Sequence, residues 1–372
     1  MSSNFITLSQ PSIQDLAPYV PGKPIEEVER ELGITDVITL ASNESPWGPS
    51  EAAKQAAIAA LENIHRYPDG SGYILKKKLA EHFQVPFENI TLGNGSDNLV
   101  TLLIQAYANP TREVLISEYA FNNYKISARA HNVGVQITPL KNWQIDIEAM
   151  VAKVSNKTAL IFIANPNNPT GTYISHDVMS YLLKNTPEHV LVVIDEAYFE
   201  YVTEKDYPNT QALQRHYPNL VILRTFSKVY GLAGLRVGYS FSHPEIAEIL
   251  NRIRLPFNVS TPALAAATVA LDEKAHIEKV VAHNTRARKT LIDAFMQLGI
   301  TTLPTAANFV TLDLKKDTRS LYQALLERGI IVRPLHAYHL PHHLRVTVGL
   351  TEHNNRAIEA FRQLLSEKND AS

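Results

Sequence analysis

The sequence predicts an α/β protein: a mostly parallel sheet covered by helices, followed by a smaller α+β domain. Three observations predict it. Short, unbroken apolar runs such as Ala159 to Ala164 and Val190 to Ile194 have the character of strands buried on both faces. Helix-like segments separate most of these runs, the alternation expected of a parallel sheet with crossover helices. After Leu255-Pro256 the rhythm changes to two long helices, then strands and helices in a tighter mixture.

The first forty residues are rich in proline (Pro11, Pro18, Pro21, Pro24) and carry one helical stretch, Ile25 to Leu32, so they read as an arm that packs on something else. Glu51 to Ile64 is alanine-rich with Pro49-Ser50 as its start signal, and Ile74 to Phe83 repeats the helical pattern. Strand character follows at Asn89 to Leu92, Glu113 to Ile116, Val133 to Ile137, Ala159 to Ala164, Val190 to Ile194 and Leu220 to Leu223. Helices are expected at Asp97 to Tyr107, Asn122 to Ala130 and His176 to Lys184. Beyond residue 255 come helices Thr261 to Leu271 and Ala275 to Leu298, and a strand Asn308 to Leu312. A helix Ser320 to Arg328, strands Ile330 to Arg333 and Leu344 to Val348, and a closing helix complete the chain. The expected division is an N-terminal arm, 1–45, packing with the small domain; a large domain, 46–255; and a small domain, 256–372.

Composition narrows the chemistry. The 372 residues suit two domains, and 45% hydrophobic content with 19% charged residues leaves little that looks disordered. A net charge of -2 offers no electrostatic case for nucleic acid or an acidic membrane surface. With no cysteine, a disulfide scaffold, a thiol nucleophile and a thiolate zinc site are all excluded. Met1 to Leu16 lacks the apolar core of a secretory signal, and no run reaches membrane-helix length, so a cytoplasmic protein is expected.

Four loops at inferred strand ends carry unusual chemistry, and such sheets bind ligands outside the carboxyl ends of their strands. Gly93-Asn94-Gly95-Ser96-Asp97 joins a strand to a helix, so its backbone N–H groups can converge on an anion at a helix N-terminus; a tight turn with Ser96 or Asp97 as N-cap is the simpler alternative. Asn165-Pro166-Asn167-Asn168-Pro169-Thr170-Gly171 fixes carboxamides at a strand's mouth. Val192-Val193-Ile194 runs straight into Asp195-Glu196, and a buried aspartate needs a cationic partner. A protonated pyridine is one such partner, and a metal ion is another. Ser227-Lys228 follows an apolar run, with Arg236 eight residues on as a fork suited to phosphate. Lysine in such a place can lose its proton and act as a nucleophile, although a lone Ser-Lys pair is more often a solvated surface charge. Together these loops supply what pyridoxal phosphate requires: an amine, an anion for the ring nitrogen and a phosphate cup.

With those residues in view, the chain resembles the fold-type I pyridoxal-phosphate aminotransferases over nearly its whole length. The shared order is Asn168-Pro169-Thr170-Gly171, Asp195-x-x-Tyr198, Ser227-Lys228, Arg236 and Leu344-Arg345-Val346-Thr347-Val348-Gly349. The resemblance implies that Lys228 forms the covalent link to the cofactor and shuttles a proton between Cα and C4′. It implies that Asp195 pairs with the pyridinium nitrogen, and that Tyr198 and Asn168 bond the ring's O3′. Ser96, with the backbone of Gly95 and Asp97, is implied in the phosphate cup beside Thr225, Ser227 and Arg236. Phe121 is the implied stacking aromatic, with Tyr119 as the rival, and Arg345 the implied grip on an α-carboxylate.

Within that superfamily, Lys23 to Gly33, Leu40 to Pro49 and Arg66-Tyr67-Pro68-Asp69 look like the histidinol-phosphate aminotransferase branch. That resemblance implies amino transfer from glutamate to imidazole-acetol phosphate, giving L-histidinol phosphate and 2-oxoglutarate. It implies a homodimer in which Tyr67 reaches the cofactor phosphate of the other subunit; a surface aromatic in a proline turn is the plainer reading of that tyrosine. Arg333, in Ile330-Ile331-Val332-Arg333-Pro334, is implied at the substrate phosphate, and Asn43 at the substrate. Ser45 and Asn98 depart from the branch, which usually has Asn and Glu there. The His-rich stretch His336 to His343 has neither the spacing nor the carboxylate partner of a metal site and reads as a loop near the substrate pocket; no metal is expected. Alternatives kept open are an aromatic amino-acid aminotransferase, a threonine-phosphate-type decarboxylase and a non-catalytic regulator that binds the cofactor.

Overall fold

The computed structural model describes residues 4–369; residues 1–3 of the expected arm and 370–372 of the expected small domain lie outside them. Seven strands form the large sheet: β1 (Ile90–Gly93), β2 (Glu113–Ser117), β3 (Gly134–Thr138), β4 (Thr158–Ala164), β5 (Leu191–Asp195), β6 (Leu220–Thr225) and β7 (Gly238–Phe241). Their order is β1-β7-β6-β5-β4-β2-β3. Successive strand residues point to opposite faces, and both faces are covered. Leu115, Ile161, Ile163, Val192, Ile194 and Ile222 face one helical layer, whereas Val114, Ile116, Leu160, Phe162, Val193, Val221 and Leu223 face the other. Burial on both faces is why these strands read as continuous apolar runs instead of alternating ones.

Only β7 runs against its neighbours. It pairs antiparallel with β1 and β6, whereas β2, β3, β4, β5 and β6 pair in parallel. No strand is expected there from the sequence, because a four-residue Gly-Tyr-Ser-Phe segment gives almost no periodic signal. Its direction matters for everything below. The start of β7, at Gly238, lies opposite Gly93 and Thr225, so the residues just before it arrive at the same edge as the ends of the parallel strands.

A second sheet holds β8 (Thr301–Thr302), β9 (Phe309–Asp313), β10 (Arg333–Pro334) and β11 (His343–Thr347) in the order β8-β9-β11-β10, all antiparallel. The single strand expected at Ile330 to Arg333 is divided. Ile330–Ile331 pairs in parallel with Ile38–Thr39 of the arm, and β10 joins the second sheet. The arm helix Ile25–Leu32 buries Val28 against Leu326 and Ile331. Helix Thr261–Ala270 places Ala263, Ala266 and Ala267 in the core of the large sheet, and the long helix Lys274–Gln297 begins there with Val280 before giving Ala287, Leu291 and Phe295 to the second core. The change of core therefore falls inside that helix, later than residue 255. We propose the same three-part division with the large–small junction moved to it.

Candidate active site

The loops after β1, β4, β5 and β6 and the approach to β7 surround one cavity of about 460 Å³. At one end lies an anion cup. Helix Ser96–Tyr107 starts at Gly95, which has φ 75°, and no side chain caps its first N–H groups. A Cβ on Gly95 would fall 2.3 Å from Arg236 Nη2, so only glycine permits this approach. Arg236 Nη1 donates to Ser227 Oγ (3.1 Å) and to the Ala233 carbonyl (3.2 Å). Its Nη2 lies 3.4 Å from Asp97 Oδ2, whose carboxylate also accepts from Asn123 Nδ2 (3.2 Å). Thr225 Oγ1 accepts from the Ser227 N–H (3.1 Å) and donates to Ser227 Oγ (3.0 Å). A guanidinium, two hydroxyls and an uncapped helix N-terminus thus meet at one place, the arrangement that binds a phosphate.

Asp195 occupies the cavity floor, held by the last residue of β5 opposite Ala164 and Leu223. It is 6% exposed and faces no cationic side chain in hydrogen-bonding range. Tyr124 donates to its Oδ2 (2.9 Å) and the Ala197 N–H to its Oδ1 (3.2 Å). Burial pushes its carboxyl up to about 6, against the pull of the Tyr124 hydroxyl. Tyr124 is itself buried, stacked on Phe162 with ring centroids 5.0 Å apart. Nothing in the sequence marks Tyr124, because its partner lies 71 residues away and no spacing rule links them. Glu196, by contrast, turns away from the cavity: Arg224 Nε (2.9 Å) and Nη2 (2.8 Å) and Thr210 Oγ1 (2.8 Å) take its carboxylate. That commitment leaves Asp195 without a second carboxylate for a metal.

Lys228 follows β6 by three residues and its half-buried Nζ donates to the Ser42 carbonyl (3.1 Å). Burial, with the neighbouring charge of Arg345, brings its ammonium down to about 8. Across the cavity, Arg345 on β11 donates to Asn168 Oδ1 and to the Ala41 carbonyl, while its Nε has no partner. Arg333 on β10 stands directly opposite Arg345 in register. Like charges so placed repel, both are buried, and neither forms an ion pair with a carboxylate among the described residues. Arg333 Nη2 donates to the Val20 carbonyl, so among the described residues both guanidinium groups meet only neutral oxygens, which suits them to an anion from outside the chain.

Phe121 lines the cavity, whereas Tyr119 packs on Trp143 (centroids 5.9 Å apart) and does not. Asn168, Tyr198 and Asn43 line it too, but the Asn43 side chain is bonded to Tyr198 and Thr347. The arm adds Tyr19, Pro21 and Gly22, with the Arg333 guanidinium 5.6 Å from the Tyr19 ring centroid. Tyr67 is brought nowhere near: it is 82% exposed and stacks on Phe257 at 4.7 Å. In the histidine-rich stretch, His343 is buried edge-on against Trp143 and His336 lies 3.4 Å from Asp317. Among the described residues no three His, Cys, Asp or Glu side chains gather to hold a metal.

The residues present fit a flat, phosphorylated pyridine. An unpaired buried carboxylate lies on the floor, an anion cup at one end, an aromatic ring in the wall and a lysine amine within the same cavity. Comparison with known proteins points the same way. Residues 35–361 match the family model described as aminotransferase class I and II. A histidinol-phosphate aminotransferase of Nitrosococcus oceani is 47% identical over 365 residues, covering 98% of this chain and 99% of the relative. One from Pasteurella multocida is 46% identical, covering 97% and 99%. Among solved structures, the histidinol-phosphate aminotransferase of Sinorhizobium meliloti in complex with pyridoxal-5'-phosphate aligns with a TM-score of 0.88 at 28% identity, covering 96% of this chain and 98% of that one.

Proposed function

The chain belongs to the class I and II aminotransferase family, and from that premise we propose that it is a pyridoxal-phosphate histidinol-phosphate aminotransferase. The amino group would pass from glutamate to imidazole-acetol phosphate, giving 2-oxoglutarate and L-histidinol phosphate. The observation that carries the class is the convergence of Lys228, Asp195 and the Arg236 cup on one cavity. Identity of 46–47% to histidinol-phosphate aminotransferases over nearly the full length supports the substrate, as do Arg333 and Arg345, two arginines without a carboxylate partner. Both half-reactions bring an anion: a carboxylate in one, a phosphate ester in the other.

When bound, the cofactor supplies a carbonyl for the amino group and a ring that draws electrons from the substrate's Cα. Asp195 would hold a proton at the ring nitrogen, and Phe121 would give the ring a plate. Gly95, Ser96, Asp97, Thr225, Ser227 and Arg236 would hold the phosphate, the first three chiefly through backbone N–H groups. Tyr198 and Asn168 would bond the 3′-oxygen. Lys228, with an amine that is neutral in part near neutral pH, would carry the proton to and from Cα. Arg345 would clamp the carboxylate with a planar fork, and Arg333 would meet the phosphate ester.

The same reading includes a homodimer. Tyr67 and Phe257 are stacked on one another yet exposed, Leu255 nearby in the chain is exposed, and so are Ile58, Leu61 and Ile64 on the helix and turn before Tyr67; exposed apolar side chains of this kind support an interface. Tyr67 would reach the phosphate site of the other subunit. Sedimentation velocity at micromolar concentration should give twice the mass of one chain, and Tyr67→Ala should weaken cofactor retention. No described helix is long and apolar enough to cross a membrane, and we place the enzyme in the cytoplasm.

The test is a half-reaction screen that follows the cofactor's absorbance on adding glutamate, histidinol phosphate, phenylalanine or O-phosphothreonine. Rapid responses to glutamate and histidinol phosphate, lost in Lys228→Ala, are expected. A response to glutamate and phenylalanine but none to histidinol phosphate would overturn the substrate and leave the class. Carbon dioxide release from O-phosphothreonine would mark a decarboxylase.

A further inference from the structure

Asn43 belongs to the arm, yet every hydrogen-bonding group it owns is engaged. Its backbone is left-handed, with φ 55°. Its N–H donates to Thr347 Oγ1 (3.0 Å) and its carbonyl accepts from Asn308 Nδ2 (3.0 Å). Its Oδ1 accepts from Thr347 Oγ1 (3.1 Å), and its Nδ2 donates to the Tyr198 hydroxyl (2.9 Å). Thr347 lies on β11 and Asn308 precedes β9, so one side chain ties arm, second sheet and active-site tyrosine together.

The polarity of these bonds follows from what each group can reach. Thr347 Oγ1 accepts from the Asn43 N–H and gives its one proton to Asn43 Oδ1, the only acceptor that the described hydrogen bonds offer it. Turning the amide over would leave that buried proton without a partner, so the favoured orientation sets the NH₂ toward Tyr198. Tyr198 must accept, so its own proton is left for another acceptor. Among the described residues no hydrogen bond takes that proton, and Tyr198 lines the cavity.

We propose that Asn43 is a positioning residue: by donating to the Tyr198 oxygen, it forces that phenol to donate its proton into the cavity, toward the cofactor's 3′-oxygen. The proposal rests on the cofactor reading above. Asn43 thus governs the ionisation of the bound cofactor without touching the reacting atoms. Arg345, Asp195 and Tyr338 are the titratable groups that act on Tyr198, and Lys228 Nζ lies 5.6 Å from its ring centroid; the variants at Asn43, Tyr198 and Thr347 keep all four.

The experiment is a pH titration of the cofactor's absorption band in the holoenzyme, for the wild type, Tyr198→Phe, Asn43→Asp and the double variant. A donor to an ionised oxygen favours the ionised form, so losing it raises the midpoint. Tyr198→Phe should raise the midpoint by on the order of one pH unit. Asn43→Asp has the shape of asparagine but offers an acceptor where the NH₂ was, so Tyr198 turns its proton away from the cavity. It should reproduce the Tyr198→Phe midpoint, and the double variant should go no further. If Asn43→Asp leaves the midpoint in place, or adds its own shift on top of Tyr198→Phe, the proposal fails; additivity would mean that the new charge acts directly. An unmoved midpoint in Tyr198→Phe overturns it as well. Should Asn43→Asp fold poorly, Thr347→Val frees the amide to turn over and should move the midpoint in the same direction. A wild type with no titrating band, or a Lys228→Ala variant that keeps the band, would count against the cofactor reading instead.

Discussion

The amine of Lys228 should titrate far below an ordinary lysine, and the shift can be measured without any cofactor. Burial near Arg345 brings it from 10.5 to about 8. At pH 7.5 about a quarter of the molecules then carry a neutral amine, against about one in a thousand for an unshifted lysine, a gain in nucleophile of more than a hundredfold. At 1.36 kcal/mol per tenfold, the cost of keeping that ammonium in the folded apoprotein is about 3 kcal/mol. The sign follows from proton counts. The native state releases this proton first, so the cost is fully present below pH 8 and is relieved as pH rises toward 10.5. Reductive methylation with formaldehyde, resolved peptide by peptide by mass spectrometry across pH 6 to 11, reads the amine directly. The Lys228 peptide should show a midpoint near 8 when folded and an ordinary one after unfolding. Arg345→Gln removes the second cause and should move the folded midpoint upward. A folded midpoint at or above 10 would refute the argument that this cavity desolvates its lysine.

Three further perturbations have definite signs. Arg345→Lys keeps the charge but loses the planar fork, so kcat/KM for glutamate should fall by roughly 10- to 100-fold, measured in steady state. Glu196→Gln leaves the buried Arg224 guanidinium without its counter-charge, and urea unfolding should report a loss of about 3–5 kcal/mol. Tyr124→Phe deletes one donor to Asp195 and nothing else in shape, so the carboxyl should titrate higher still than about 6, as read by its infrared band against pH in the apoprotein.

The sheet was legible because its strands are buried on both faces and so carry no polar interruptions. From Glu113 to Leu223 the inferred strands fall within a residue or two of the observed ones. β7 was not legible, although it is what carries Arg236 into the cup. Helix Pro244–Ile253 was also missed, although Pro at its first turn and the buried Ile246, Ala247 and Leu250 on one face are ordinary helix signals. At the site, the loops that converge on the cavity could be read one by one: the Gly93 to Asp97 turn, Asp195 after its apolar run, and Lys228 with Arg236. What could not be read were pairings made by the fold across long separations. Tyr124 on Asp195, Asn168 on Arg345 and Asn43 on Tyr198 are 71, 177 and 155 residues apart. The register that sets Arg333 opposite Arg345 depends on a strand that the sequence reading merged with its neighbour.

The cavity's charges make the apoprotein less stable than its fold alone would allow, and the pH dependence of that deficit identifies its source. Asp195 keeps its proton until about pH 6 in the native state but only until 3.8 when unfolded. The native state therefore binds more protons between those values, and stability from this group is lost as pH rises through the window, by up to about 3 kcal/mol. A cation on the floor returns that stability, since a paired buried carboxylate no longer suffers its isolation. Pyridoxamine phosphate, which bears the protonated ring but cannot bond covalently to Lys228, should accordingly raise the melting temperature more at pH 7 than at pH 5. Inorganic phosphate fills only the cup and has a comparable phosphate titration, so its smaller effect at each pH is the reference to subtract. The ring's share of the stabilisation must grow across the window, because only there does Asp195 change from a contented acid to an unpaired anion. If that share stays constant or shrinks between pH 5 and 7, then Asp195 is not the group that meets the ring.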